Sequence, residues 1–158
     1  EIANSLNSRI DKIKDVKISK RPKVLAIEWI NPFFTSGHWV PEMIEMSGGE
    51  NMITKKGEHS RKMGIEEIEN ENPDVLILMP CGFDVQRTVS EYEKYLKNDP
   101  RWNKLKAVRE RKVFAVDANS FFSKPSIRVI TGIEILAKIL HPDVFTELEV
   151  PNNSFLKI

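Results

Sequence analysis

Two short runs, "KVLAIEWI" at 23–30 and "DVLILMP" at 74–80, limit what this chain can become. Each is apolar on nearly every residue and rich in strand formers. A strand with one wet face alternates apolar and polar residues. A continuous apolar run bounded by turn residues is instead covered on both faces, as in a parallel sheet between two helical layers. "KVFAVD" at 112–117 is a third run of this kind.

Helical patterns separate the runs. One spans about 40–46 and is stopped by Gly48 and Gly49; another begins at "IEEIENEN"; "VQRTVSEYEKYL" at 85–96 is amphipathic. In "SKPSIRVITGIEILAKIL", Ser123 and Pro125 read as helix-start signals, and the apolar positions nearly encircle the segment, as in a helix packed deep against a sheet. At the front, "EIANSLNSRIDKIKD" puts Ile2, Leu6, Ile10 and Ile13 on one stripe of a helix that starts at or before Glu1. Strands alternating with helices over 158 residues predict one α/β domain, a three-layer α/β/α lobe with a mainly parallel central sheet. "EVPNNSFLKI", within 146–158, reads as an irregular tail.

Charge and cysteine content exclude several functions. Twenty-four basic against twenty-three acidic side chains leave a formal charge of +1, which favours neither nucleic acid nor an anionic membrane as partner. A single cysteine, Cys81, excludes an internal disulfide. Cys81 beside Gly82 invites a nucleophile reading with His38 or His59 as base, but nothing in the sequence brings them together, and no catalytic role is assigned. His38, His59 and His141 lack the short spacings of a protein metal site, so none is expected. The first residue is Glu rather than Met, the expectation for a processed or truncated product.

In open α/β sheets, ligands sit beyond the carboxyl ends of the strands. Three loops leave those ends here: "EWINPFFTSGHW", "PCGFD" and "DANSFFSKPS". All carry phenylalanine where exposed loops usually carry polar residues. Phe33, Phe34, Phe83, Phe121 and Phe122 either fold back as core beneath their loops or form the floor of a site for a large ligand. Recurrence at one sheet edge favours the floor.

"INPFFTSGHWVPEMIEMSGGEN", "NPDVLILMPCGFD" and "VFAVDANSFFSKPSIRVITGIEILAKILHP" resemble the carboxyl-terminal lobe of the cobalamin-binding proteins, substrate-binding components of vitamin B12 ABC importers. The resemblance covers about residues 20–145. It implies half of a class III periplasmic-binding-protein fold, in which two α/β lobes joined by a long helix hold the ligand between them. Residues 1–19 would then be the distal part of the connecting helix, 20–145 the ligand-binding lobe, and the amino-terminal lobe would be missing. By the same resemblance the ligand is cobalamin or a related corrinoid, with iron siderophore or haem as the alternative within the fold. A lobe acting alone as an interaction module is a further alternative. The chain would be no enzyme, would have no resident cofactor, would work outside the cytoplasm and would deliver its ligand to ABC permease subunits.

Carried over position by position, Phe34 matches an aromatic laid against the corrin, and Ser120, Phe121 and Phe122 match a loop giving one aromatic and polar contacts. Ser60 stands where the family pattern has tryptophan, and Ser120 where it has aspartate; Trp39 is the expected substitute aromatic. His38 and Lys124 complete the candidate ligand set with Phe33 and Phe83. Glu66 and Glu67 match an exposed acidic contact to permease arginines, although glutamate is also favoured in any helix's first turn. An amide-fringed ring suits apolar platforms with scattered donors, and the loops hold no arginine cluster of the kind an anionic iron chelate would need.

Overall fold

The central strands and the long helices follow from where the apolar residues fall along the chain. The computed structural model describes residues 2–158. In chain order the elements are α1 (Ile2–Lys14), β1 (Lys23–Trp29), β2 (Phe34–Thr35), α2 (Val40–Met46), β3 (Glu50–Asn51), α3 (Ile65–Glu71), β4 (Val75–Leu78), α4 (Val85–Tyr95), α5 (Pro100–Asn103), α6 (Lys106–Arg109), β5 (Val113–Val116), α7 (Ala118–Phe121), α8 (Arg128–Leu140) and β6 (Phe155–Lys157). The expected helix start at or before Glu1 is seen from Ile2 onward; Glu1 itself lies outside the described residues.

The sheet runs β2-β1-β4-β5-β6, with β3 pairing β1 as well. β1, β3, β4 and β5 pair in parallel, and β2 and β6 close the two edges antiparallel. The architecture is thus a mixed α/β lobe with an open mixed sheet, as the two central apolar runs require. Successive strand residues face opposite sides. Val24, Ala26, Val75 and Ile77 join one buried cluster with α2 and α8 residues, while Leu25, Ile27, Leu76 and Leu78 join another around the fully buried Trp102.

α8 explains its own composition. Seven of its residues are buried, including Glu134, which pairs with Arg9 of α1 and so tethers the first helix to the last. Gly132 in the same helix has no room for a side chain: a Cβ there would lie 2.7 Å from Met43 Cε and 2.8 Å from the Phe121 carbonyl oxygen.

Two sequence expectations are corrected. The tail is not wholly irregular: Phe155–Lys157 pairs with β5, and the Phe155 ring sits 6.4 Å from that of Phe114. The deep helix begins at Arg128, not at the signals Ser123 and Pro125. Residues 118–121 form a separate turn of helix whose cap is Asp117, accepting from Ser120 N–H at 3.0 Å, and the Ser123 hydroxyl instead accepts from Gly82 N–H at 2.9 Å.

Candidate functional site

A cavity of about 160 Å3 opens at the carboxyl ends of β1 and β4, lined by Glu28, Gly37, His38, Trp39, Val40, Met79, Cys81, Phe122 and Ser123. Four chain segments build it. β1 delivers Glu28 at the point where its buried stretch ends. The turn after β2 delivers His38 and Trp39, and the loops after β4 and β5 deliver Cys81 and Ser123.

Gly37 is what lets two of these loops meet. A Cβ on it would fall 2.6 Å from the Glu58 carbonyl oxygen and still closer to Ser60 N, so residues 58–60 lie directly against the turn. His38 adopts a left-handed backbone at φ 59°, its N–H donates to the Glu58 carbonyl at 2.6 Å, and its own carbonyl accepts from Gly57 N–H at 3.1 Å. The outcome is a pair of imidazoles. His38 and His59 stand edge to face with centroids 5.0 Å apart, and the Trp39 ring lies 5.6 Å from His38. Trp39 is fixed in turn by its indole N–H, which donates to the Phe122 carbonyl at 2.9 Å.

Glu28 is half-buried beside them. Burial pushes its carboxyl above the ordinary value, against the pull of the His38 charge and of a hydrogen bond from the Ser60 hydroxyl. The group is therefore a reluctant anion beside the His38 imidazole. Among the described residues, no group of three or more His, Cys, Asp or Glu side chains is arranged to hold a metal ion.

The structure divides the aromatic residues read from the loops. Phe83 and Phe122 are core, at 4% and 3% exposure, and Phe33 stacks on Trp102 at 5.9 Å within the second cluster. Phe33 and Phe83 are not among the lining residues and are corrected as floor residues, because the interior offered each ring more apolar contact than the loop surface did; Phe122, though buried, still lines the cavity. Phe34 is half-buried, opposite Trp29 in the β1–β2 ladder. Phe121 and Ser120 are half-buried on α7, and Lys124 is exposed beyond it. His38 and Trp39 stand in the cavity wall. Glu66 and Glu67 open α3, away from the cavity, paired with Arg101 at 3.1 Å and Arg61 at 2.7 Å.

Several site residues escaped the sequence reading. Glu28 had a signal, an acid near the end of an otherwise apolar strand. His59 had none, because only the packing against Gly37 brings it to His38. Cys81, considered only as a nucleophile, is exposed at the cavity edge.

A sequence profile described as "Periplasmic binding protein" matches residues 1–120. The high-affinity heme uptake system protein IsdE of Staphylococcus aureus (strain bovine RF122 / ET3-1) is 29% identical over 126 residues, 77% of this chain and 43% of that protein. The chain thus spans less than half the length of the curated relatives it matches. Among solved structures, an ABC transporter substrate-binding protein from Listeria monocytogenes EGD-e superposes with a TM-score of 0.78 at 22% identity, covering 89% of this chain and 56% of that one. S. aureus IsdE complexed with heme does so at 0.74 and 23% identity, covering 87% and 55%. At these identities the likeness is one of fold. No helix among the described residues is long and apolar enough to cross a membrane.

Proposed function

This chain belongs to the periplasmic binding protein family, and from that premise we propose that it supplies half the cleft of an extracytoplasmic solute-binding protein whose solute is haem. The observation that carries the ligand is the His38–His59 pair, 5.0 Å apart, of which His38 lines the cavity beside Trp39 and His59 stands exposed against it. One imidazole suffices as a protein ligand to haem iron, and an adjacent indole gives the macrocycle a flat apolar surface. The relatives named for heme support the same reading.

The cavity's size fits a half-site. At about 160 Å3 it falls below the roughly 300–1,000 Å3 of complete sites for drug-sized ligands, so a second surface would close over the solute. Haem is preferred to the corrinoid because the relatives are named for heme; a corrinoid's cobalt also accepts an imidazole, so titration decides between them. The ABC permease remains the proposed partner, and capture and release, with no reaction on the solute, the proposed activity.

Absorbance titration of the chain with haem, cobalamin, cobinamide and a ferric siderophore tests the choice. Haem binding that perturbs the Soret band, and loses that perturbation in His38→Ala or His59→Ala, is the expected result. Binding confined to the cobalt corrinoids would restore the corrinoid reading.

A further inference from the structure

We propose that Arg87, Phe83 and Trp29 form a second subsite of the same cleft, one that takes a carboxylate carried on a flat apolar ring. The proposal rests on the haem reading and deepens it: protoporphyrin bears its two carboxylates on one edge.

The Arg87 guanidinium carbon lies 3.9 Å over the Phe83 ring, and Trp29 meets the same ring edge-on at 5.2 Å and 73°. Phe83 is buried and so gives a fixed platform, while Trp29 is 36% exposed, an unusual amount for an indole at a strand end. Arg9, Arg21, Arg61 and Arg101 each reach a carboxylate in this structure. Arg87, like Arg109, Arg111 and Arg128, makes no such ion pair among the described residues, and of these four it is the one stacked on an aromatic ring. The nearby Asp84 is occupied as the cap of α4, accepting from Arg87 N–H at 2.8 Å.

Stacking on a ring uses the π-face of a guanidinium and leaves its in-plane N–H donors free. Those donors match the two oxygens of a carboxylate. The group is therefore pinned in place but still able to bind an anion, a combination that a freely waving surface arginine lacks.

The position suits one ligand shared with the first cavity. Glu28 and Trp29 are neighbours at the carboxyl end of β1, where the β1–β2 register shifts by one residue. Glu28 lines the cavity with His38 and Trp39, and Trp29 leans on Phe83 at the start of α4. Between the two lie Cys81 and Gly82, which Ser123 ties down at 2.9 Å. A flat ring laid across these strand ends places one edge by the imidazoles and the opposite edge by Arg87.

The test compares iron protoporphyrin IX with its dimethyl ester, titrated by absorbance into the chain and its Arg87→Gln and Arg87→Lys variants. The unaltered chain should bind the diacid more tightly than the ester. Arg87→Gln should weaken the diacid about tenfold and leave the ester unchanged, as expected for loss of a charge-assisted hydrogen bond. Arg87→Lys should recover only part of that loss, since it keeps the charge without the planar fork. Equal affinity of the unaltered chain for diacid and ester would overturn the subsite while the haem reading stands, and needs no variant to fold. So would equal weakening of both by Arg87→Gln. Binding of cobalamin but neither porphyrin would overturn the haem reading and the subsite with it.

Discussion

Gly37 and Glu28 show how single residues shape the cavity, and each makes a measurable claim. Because a Cβ at Gly37 would press on backbone rather than on a flexible side-chain tip, Gly37→Ala must push the 58–60 loop away. Overpacking of this kind typically costs about 1–3 kcal/mol, and here it also separates His59 from His38. Denaturant melts should show the loss, and haem binding should weaken in parallel; an unchanged melt with intact binding would mean that the two loops are not in contact. Glu28 claims the opposite sign. Its folded-state pKa is raised by burial, so the folded chain holds that proton more tightly than the unfolded one does. Below the unfolded value, near 4.3, both states are protonated and the group contributes nothing. As pH rises from there through the raised folded value, the unfolded state ionises first and stability falls, and the penalty is complete above both. Glu28→Gln should flatten that part of the stability profile and leave the neutral-pH melting temperature equal or higher. A clearly lower melting temperature at pH 7 would show that the ionised carboxylate is a stabilising partner of His38.

Among elements, the edge strand β6 carries more weight than its three residues imply. Ser154 is buried, its carbonyl accepts from Asp117 N–H at 2.9 Å, and Ile158 N–H donates to Val113 at 2.9 Å, so the last eight residues pin both ends of β5. Deleting 151–158 removes these bonds and bares Phe114, a loss on the order of 3 kcal/mol from one aromatic contact and a few hydrogen bonds. Thermal melts and hydrogen exchange at Val113–Val116 should register it; unaltered protection there would make β6 an ornament of the fold. The same strand marks the limit of what could be read beforehand. β1, β4 and β5 were legible because four or more consecutive apolar residues leave no wet face, whereas "FLK" is too short to show any period. Ser123 and Pro125 misled for a related reason: helix-start residues also serve loops, and Ser123 serves Gly82. The three aromatic loops do leave the carboxyl ends of β1, β4 and β5, as the apolar runs implied. Which rings would sink was not legible, since Phe34 and Phe122 differ only in the interior each meets after folding. His59 lies 21 residues from His38, beyond any local pattern.

At the scale of the whole molecule, this chain offers a shallow cavity on one sheet edge and a charged helix start to one side of it. A surface that covers half a ligand forfeits much of its burial, and each 1.4 kcal/mol lost is a factor of ten in affinity. A protein carrying both lobes should therefore bind haem at least about a hundredfold more tightly than this chain; equal affinities would place the complete site here. Delivery is a separate matter, and Glu66 is the residue on which we would test it. Its side chain is 68% exposed against 40% for Glu67, so it is the more available of the two to a partner's arginine. A hydrogen bond from its own backbone N–H, and then Arg101, hold its carboxyl below the ordinary value, so it is an anion throughout the neutral range. Arg101 also grips Glu69 and can keep that partner when Glu66 turns outward. Reversing the charge with Glu66→Lys removes only an exposed ion pair, which seldom matters to folding, but sets like charges together at an interface that needs opposite ones. The expected outcome is unchanged haem affinity, a nearly unchanged melting temperature, and reduced stimulation of the cognate permease's ATPase in vesicles. Glu67→Lys is the control, because Glu67 is already engaged with Arg61 and should affect stimulation less. Full stimulation by Glu66→Lys would leave that carboxylate as a helix-start residue held by Arg101, with docking carried by another part of the lobe.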